Sequence, residues 1–117
     1  MQRTSRINET MKREIGNIVL MEIKDPRVKL VTITAVNVSK DLQHARVYFS
    51  VLGNSQQTSE AQAGLDSARG YIRKLIGARV RMRYTPEIEF IYDETIEYSD
   101  RIERTLEDLK NESKKNS

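Results

Sequence analysis

Residues 68–77 read Ala68-Arg69-Gly70-Tyr71-Ile72-Arg73-Lys74-Leu75-Ile76-Gly77, and the chain runs on through Arg79, Arg81 and Arg83 to Pro86-Glu87-Ile88-Glu89-Phe90. Two periodicities meet in this stretch. Ala61, Leu65, Ala68, Ile72 and Leu75 step by four, three, four and three, which predicts a helix. Ser59 with Gln62 matches a capping box at its start, and Gly77 stands where a glycine ends a helix. Gly70 falls inside the pattern, where glycine costs about 1 kcal/mol against alanine, and marks a kink or a close backbone approach. From Ala78 to Tyr92 the period becomes two. Val80, Met82, Tyr84, Ile88 and Phe90 share one side and Arg79, Arg81, Arg83, Glu87 and Glu89 the other, which predicts a strand with Tyr84 in the core. Pro86 cannot donate to a ladder, so the strand belongs at a sheet edge or a bulge.

Upstream, His44 to Leu52 alternates, with Ala45, Val47, Phe49 and Val51 facing one way. Leu30 to Ser39 is rich in Val, Ile and Thr but changes parity near Thr34-Ala35, the sign of a β-bulge. The polar turn Ser39-Lys40-Asp41 makes these two strands an antiparallel hairpin. From Ser5 to Ile23, Ile7, Met11, Ile15, Ile18 and Val19 recur at helical spacing, and Ile18-Val19-Leu20-Met21 reads as the buried end. Pro26 pushes Asp25 out of the α region and stops this helix near Lys24. At the far end Ser99 caps a last helix with Ile102, Leu106 and Leu109 inward. Residues 1–110 then make one domain, with 111–117 a disordered polar tail. More than twenty residues separate the second and third strands, which favours a parallel crossover over a hairpin. The expected fold is α/β (α+β): a three-stranded mixed sheet with helices on one face, in the order α-β-β-α-kink-α-β-α.

A chain of 117 residues without cysteine excludes disulfide scaffolds, thiolate metal sites and cysteine nucleophiles. No apolar run is long enough to span a bilayer, so a cytoplasmic protein with no membrane partner is expected; it is also expected to be a monomer and to use no cofactor. The net charge of +3 conceals segregation. Residues 1–66 carry nine Lys and Arg against seven Asp and Glu, residues 67–86 six against none, and residues 87–112 three against ten. A cationic stretch of this density is the electrostatic footprint of a polyanion partner.

The helix pair after the second strand is the arrangement of a type II KH domain, and three blocks narrow it. Glu22-Ile23-Lys24-Asp25-Pro26-Arg27 closes the first helix, Val38-Ser39-Lys40-Asp41-Leu42 leads into Ala45-Arg46-Val47-Tyr48, and residues 68–77 lead to Arg81-Met82-Arg83 and Pro86-Glu87-Ile88-Glu89-Phe90. On these blocks the chain resembles the ribosome-binding factor A family of bacterial small-subunit assembly factors. KH domains clamp single strands with a Gly-x-x-Gly loop, which this sequence lacks; Ala68-Arg69-Gly70 matches the family's Ala-x-Gly kink. The resemblance implies docking on rRNA of the free, immature small subunit rather than the translating ribosome. It further implies help with late maturation and rRNA end processing, without covalent chemistry, beside ribosomal proteins or assembly GTPases.

The residues expected to bind RNA are Arg69, Arg73, Lys74, Arg79, Arg81 and Arg83, because guanidinium forks grip phosphate oxygens bidentately. On a strand, Arg79, Arg81 and Arg83 would stand about 7 Å apart on one face; the plainer reading is a solvated face. Arg6 and Arg13, two turns apart on the first helix, with Lys24 and Arg27 at its end, form a second candidate set. Pairs such as Glu9 with Arg13 also account for that pattern as helix stabilisation. Tyr48, outward on the second strand, is the aromatic placed to meet RNA. His44, the one histidine, reads as a surface residue. The carboxylates Asp93, Glu94 and Glu97 read as a solvated acidic segment, the alternative being a metal-dependent ribonuclease. A generic single-stranded-RNA-binding KH module is the other alternative.

Overall fold

A computed structural model describes residues 3–94, with side chains from Ser5 onward; the expected last helix and tail lie outside the described residues. The element order is α1 (Arg3–Met21), a 3₁₀ turn (Pro26–Val28), β1 (Val31–Val38), β2 (His44–Val51), α2 (Ser55–Arg79) and β3 (Glu87–Tyr92). The sheet runs β1-β2-β3, with β1 antiparallel to β2 and β3 parallel to it. The register shifts between Ile33 and Ala35, so the parity change in the sequence is a bulge. Thr34, the inserted residue, donates its hydroxyl to Asp93 Oδ2 at 2.8 Å.

One sheet face carries the core. Ile33, Val36 and Val38 of β1, Ala45, Val47 and Phe49 of β2, and Ile88 and Phe90 of β3 are buried against Met11, Ile15, Ile18 and Val19 of α1 and Ala61, Leu65, Ile72 and Ile76 of α2. Alternate residues of the strands, Thr32, Asn37, Arg46 and Glu89 among them, are exposed on the other face. Leu42, in the hairpin turn, takes a left-handed φ of 61°. Two hydrogen bonds from Ser39 Oγ and the Gln43 amide to Asp41 Oδ1 hold that turn, and they keep the Asp41 carboxyl below the ordinary carboxylate range.

Four local expectations give way. The box that starts α2 is Asn54 with Gln57, each side chain bonded to the other's amide at 2.9 and 2.8 Å. Ser59-Gln62 is one turn further in, and Gln62 Nε2 instead reaches Phe90 O at 2.9 Å. The expected helix pair is a single helix that runs unbroken across Gly70. Gly77 does not end it. The last helical residue is Arg79, no glycine has positive φ, and a Cβ at Gly77 would stand 2.9 Å from Thr85 Oγ1. Gly77 therefore admits the returning chain. Finally, Leu20 and Met21 are 75% and 72% exposed, since only Ile18 and Val19 of that run face the sheet.

The 3₁₀ turn locks α1 to α2. Asp25 accepts the Arg27 amide at 2.9 Å and pairs with its guanidinium at 2.7 Å. That bonding holds the Asp25 carboxyl below its usual range. Val28 then packs on Gly64, where a Cβ would lie 2.9 Å from Val28 Cγ1 and 3.2 Å from Arg27 Cβ. Two substitutions of the same chemistry should therefore differ in sign. Gly70→Ala meets nothing within 4 Å and should stabilise the fold by up to about 1 kcal/mol. Gly64→Ala should destabilise it by about 1–2 kcal/mol, because overpacking against a stiff valine exceeds the propensity gain. Urea denaturation of the two variants measures both signs.

Candidate nucleic-acid interface

The strand expected over residues 78–92 begins only at Glu87. Its parallel partner explains why. His44, the first residue of β2, pairs with Glu87, and the Glu87 amide bonds Gln43 O at 2.8 Å; residues before Glu87 have no strand to pair with. Val80 to Pro86 is accordingly an irregular return segment. Arg79, Arg81 and Arg83 do not form a strand-face row, and Tyr84 is not core but 61% exposed. Val80 and Met82 still lean on the core, which accounts for the alternation in the sequence.

This segment folds back along the last turns of α2. Arg73 fastens it, donating from Nε to Pro86 O at 3.1 Å and from Nη2 to Thr85 O at 2.8 Å, with Glu87 Oε1 at 3.4 Å. Helix and segment enclose a groove of about 510 Å³. Gly70, Arg73, Lys74 and Gly77 line one side and Arg83, Tyr84 and Thr85 the other. The lining holds three cations and no acid. Arg83 stands over the Tyr84 ring at 5.5 Å from its centroid, a cation–π contact that steadies both side chains.

The expected RNA-binding cations divide by what they already hold. Arg73 is tied to the return segment. Arg79 pairs with Glu22 at 3.1 Å and approaches Glu14 at 4.0 Å, joining α2 to α1. Arg27 is committed to Asp25 beside Gly64, and ten residues of helix, roughly 15 Å, separate Gly64 from Lys74. Arg13 lies 3.7 Å from Glu14. Arg69, Lys74 and Arg81 are exposed with no ion pair or hydrogen bond among the described residues, as are Arg6 and Lys24. Ala68 packs at the edge of the core while Gly70 opens onto the groove. Sequence reasoning missed Gly77, Tyr84 and Thr85 as site residues. Pro86 was the available signal, since a residue without an N–H breaks the alternation that made Tyr84 look internal.

Among the described residues no group of three or more His, Asp or Glu side chains could hold a metal ion, and no helix is long and apolar enough to cross a membrane. Tyr48 is half-buried on the open sheet face and His44 is exposed.

The family model described as Ribosome-binding factor A matches residues 3–106. Ribosome-binding factor A of Halothermothrix orenii is 49% identical over 111 residues, covering 95% of this chain and 91% of that protein. The crystal structure of ribosome-binding factor A from Thermus thermophilus superposes with a TM-score of 0.70 at 27% identity, over 78% of this chain and 97% of that one. A homology model of the Thermus thermophilus factor, fitted into the cryo-EM map of its 30S complex, gives 0.62 at 29% identity, over 74% and 91%.

The difference between committed and exposed cations is measurable in the free protein. Arg73→Ala should cost about 1–3 kcal/mol, because two partly buried carbonyls lose a charged donor. Lys74→Ala, one residue on and bonded to nothing described, should stay within about 0.5 kcal/mol of the parent. Chemical denaturation of both variants checks the contrast.

Proposed function

Because the chain belongs to the ribosome-binding factor A family, we propose that it is an assembly factor that binds the free or immature small ribosomal subunit through rRNA phosphates. In this role it assists late subunit maturation and rRNA end processing. The observation that carries the reading is the acid-free groove in which Lys74 and Arg83 stand beside the committed Arg73, with Arg69 and Arg81 exposed in the same helix and return segment. Phosphate recognition needs closely spaced cations whose charge is not already neutralised; each contact releases condensed counterions, which gives affinity without reading sequence. Guanidinium forks add geometry, since two N–H groups can meet two phosphate oxygens.

Binding alone suffices for this role. A factor that prefers one rRNA conformation shifts the population toward it, by no more than its difference in affinity for the two states, and departs when that conformation is gone. No bond is made or broken by the protein. It works as a cytoplasmic monomer, and ribosomal proteins or assembly GTPases beside its site are further partners.

The reading predicts a pattern across variants. Arg81→Glu with Arg83→Glu should weaken co-sedimentation with free small subunits at least about tenfold and reduce the slope of log affinity against log salt by about 1–2. Arg79→Ala, whose guanidinium is held by Glu22, should leave that slope unchanged. Sedimentation of the double variant indistinguishable from the parent across a salt series would remove this surface from the rRNA contact.

A further inference from the structure

Phosphate binding does not account for Tyr84. Its ring stands 61% exposed although its neighbours in the alternation, Val80 and Met82, pack inward. It borders two hollows. One is the cationic groove; the other, of about 300 Å³, is lined by Gln43, His44, Arg73, Tyr84, Thr85 and Glu87. Tyr84, Thr85 and Arg73 belong to both, so the aromatic ring lies on their shared rim. The volumes of both fall within the range of about 300–1,000 Å³ of small-molecule sites.

The two hollows differ in chemistry. The first offers Lys74 and Arg83 to an anion. The second carries the Glu87 carboxylate, which pairs with Arg73 at 3.4 Å and disfavours a phosphate. It also presents the Gln43 amide and the His44 imidazole, neither of which has a side-chain hydrogen bond among the described residues. An amide supplies both a donor and an acceptor, as the edge of a nucleobase requires. An exposed aromatic face supplies the platform on which any base can stack.

We infer that this double hollow takes one unpaired nucleotide of the bound RNA. Its base stacks on Tyr84 toward Gln43 and His44, and its phosphate sits with Lys74 and Arg83 on the other side of the ring. The inference rests on the rRNA-binding reading and adds to it a base-dependent contact at a site otherwise blind to sequence. Arg83 links the two halves, since its guanidinium packs on the ring at 5.5 Å while its N–H groups are available to phosphate.

The test uses the full chain, free small subunits and four proteins: the parent, Tyr84→Ala, Tyr84→Phe and the double variant Arg81→Glu with Arg83→Glu. Co-sedimentation across a salt series reports affinity and slope. Base-specific modification of the rRNA and hydroxyl-radical cleavage report bases and backbone separately. Tyr84→Ala should lose about tenfold in affinity with the salt slope unchanged, and one unpaired base protected by the parent should become reactive while backbone protection persists. Tyr84→Phe should behave as the parent. The ring is exposed, so both variants should melt with the parent. If Tyr84→Ala keeps parental affinity and base protection while the double Arg variant weakens, the nucleotide contact is wrong and the rRNA reading stands. If Tyr84→Ala weakens binding and no base becomes reactive, the ring meets protein or backbone and the inference falls. A Tyr84→Phe variant as weak as Tyr84→Ala also overturns stacking. If the double Arg variant binds as the parent does, the rRNA reading fails first and the inference with it.

Discussion

Parallel pairing of β2 with β3 is the constraint on which the rest of this structure depends. A strand parallel to β2 must begin at the end of the sheet where β2 begins, so the chain has to travel the sheet's length before β3 can start. The 25 residues of α2 make that journey and overshoot: a helix of that length spans roughly 38 Å, whereas the eight residues of β2 span roughly 26 Å. Gln62 touches Phe90 and Arg73 touches Pro86, so helix numbering rises as strand numbering falls. Six residues of helix remain beyond Arg73. The chain must then double back outside the sheet, and residues 80–86 are that return.

Everything at the candidate interface follows from the overshoot. A return segment with no strand partner has carbonyls to satisfy, and Arg73 donates to two of them. It must also pass close to the helix, and Gly77 leaves room for Thr85 where any side chain would collide. The gap between helix end and return segment is the groove. Because residues 67–86 contain six cations and no acid, the groove is cationic whichever of them face it. The folded state then sorts these cations. Arg73 and Arg79 are tied into the scaffold, while Arg69, Lys74 and Arg81 hold no ion pair or hydrogen bond among the described residues. The face of α2 turned away from the groove meets the sheet through Leu65, Ile72 and Ile76, so binding surface and core share one helix without sharing residues.

Much of the fold was legible because the signals were local. The hairpin, its bulge at Thr34, the parallel third strand and the sheet face that α1 and α2 cover all follow from side-chain parity and connection length. The misreadings share a cause. Ser59-Gln62 and Asn54-Gln57 are both acceptable capping boxes, and only tertiary contact, Gln62 reaching Phe90, separates them. Gly77 looks like a terminator because glycine is permitted at a helix end, yet here it serves close packing with a residue eight positions on. Tyr84 shares parity with Val80 and Met82, but parity implies burial only while a strand continues, and the strand had no partner before Glu87. The site was half legible: charge density marked the right twenty residues, but not which guanidiniums carboxylates and carbonyls would already hold.

What the sequence determined by itself is the first helix, the bulged hairpin, the mixed sheet, the family and the segregation of positive charge into residues 67–86, because periodicity, motif spacing and charge are properties of the chain. What only the tertiary structure decided is which of those charges remain exposed and that an aromatic ring stands between two hollows at their edge. The reason is that α2 outruns the sheet. Where β2 begins determines where β3 can begin, and the residues left over between α2 and β3, with nothing to pair with, become the surface.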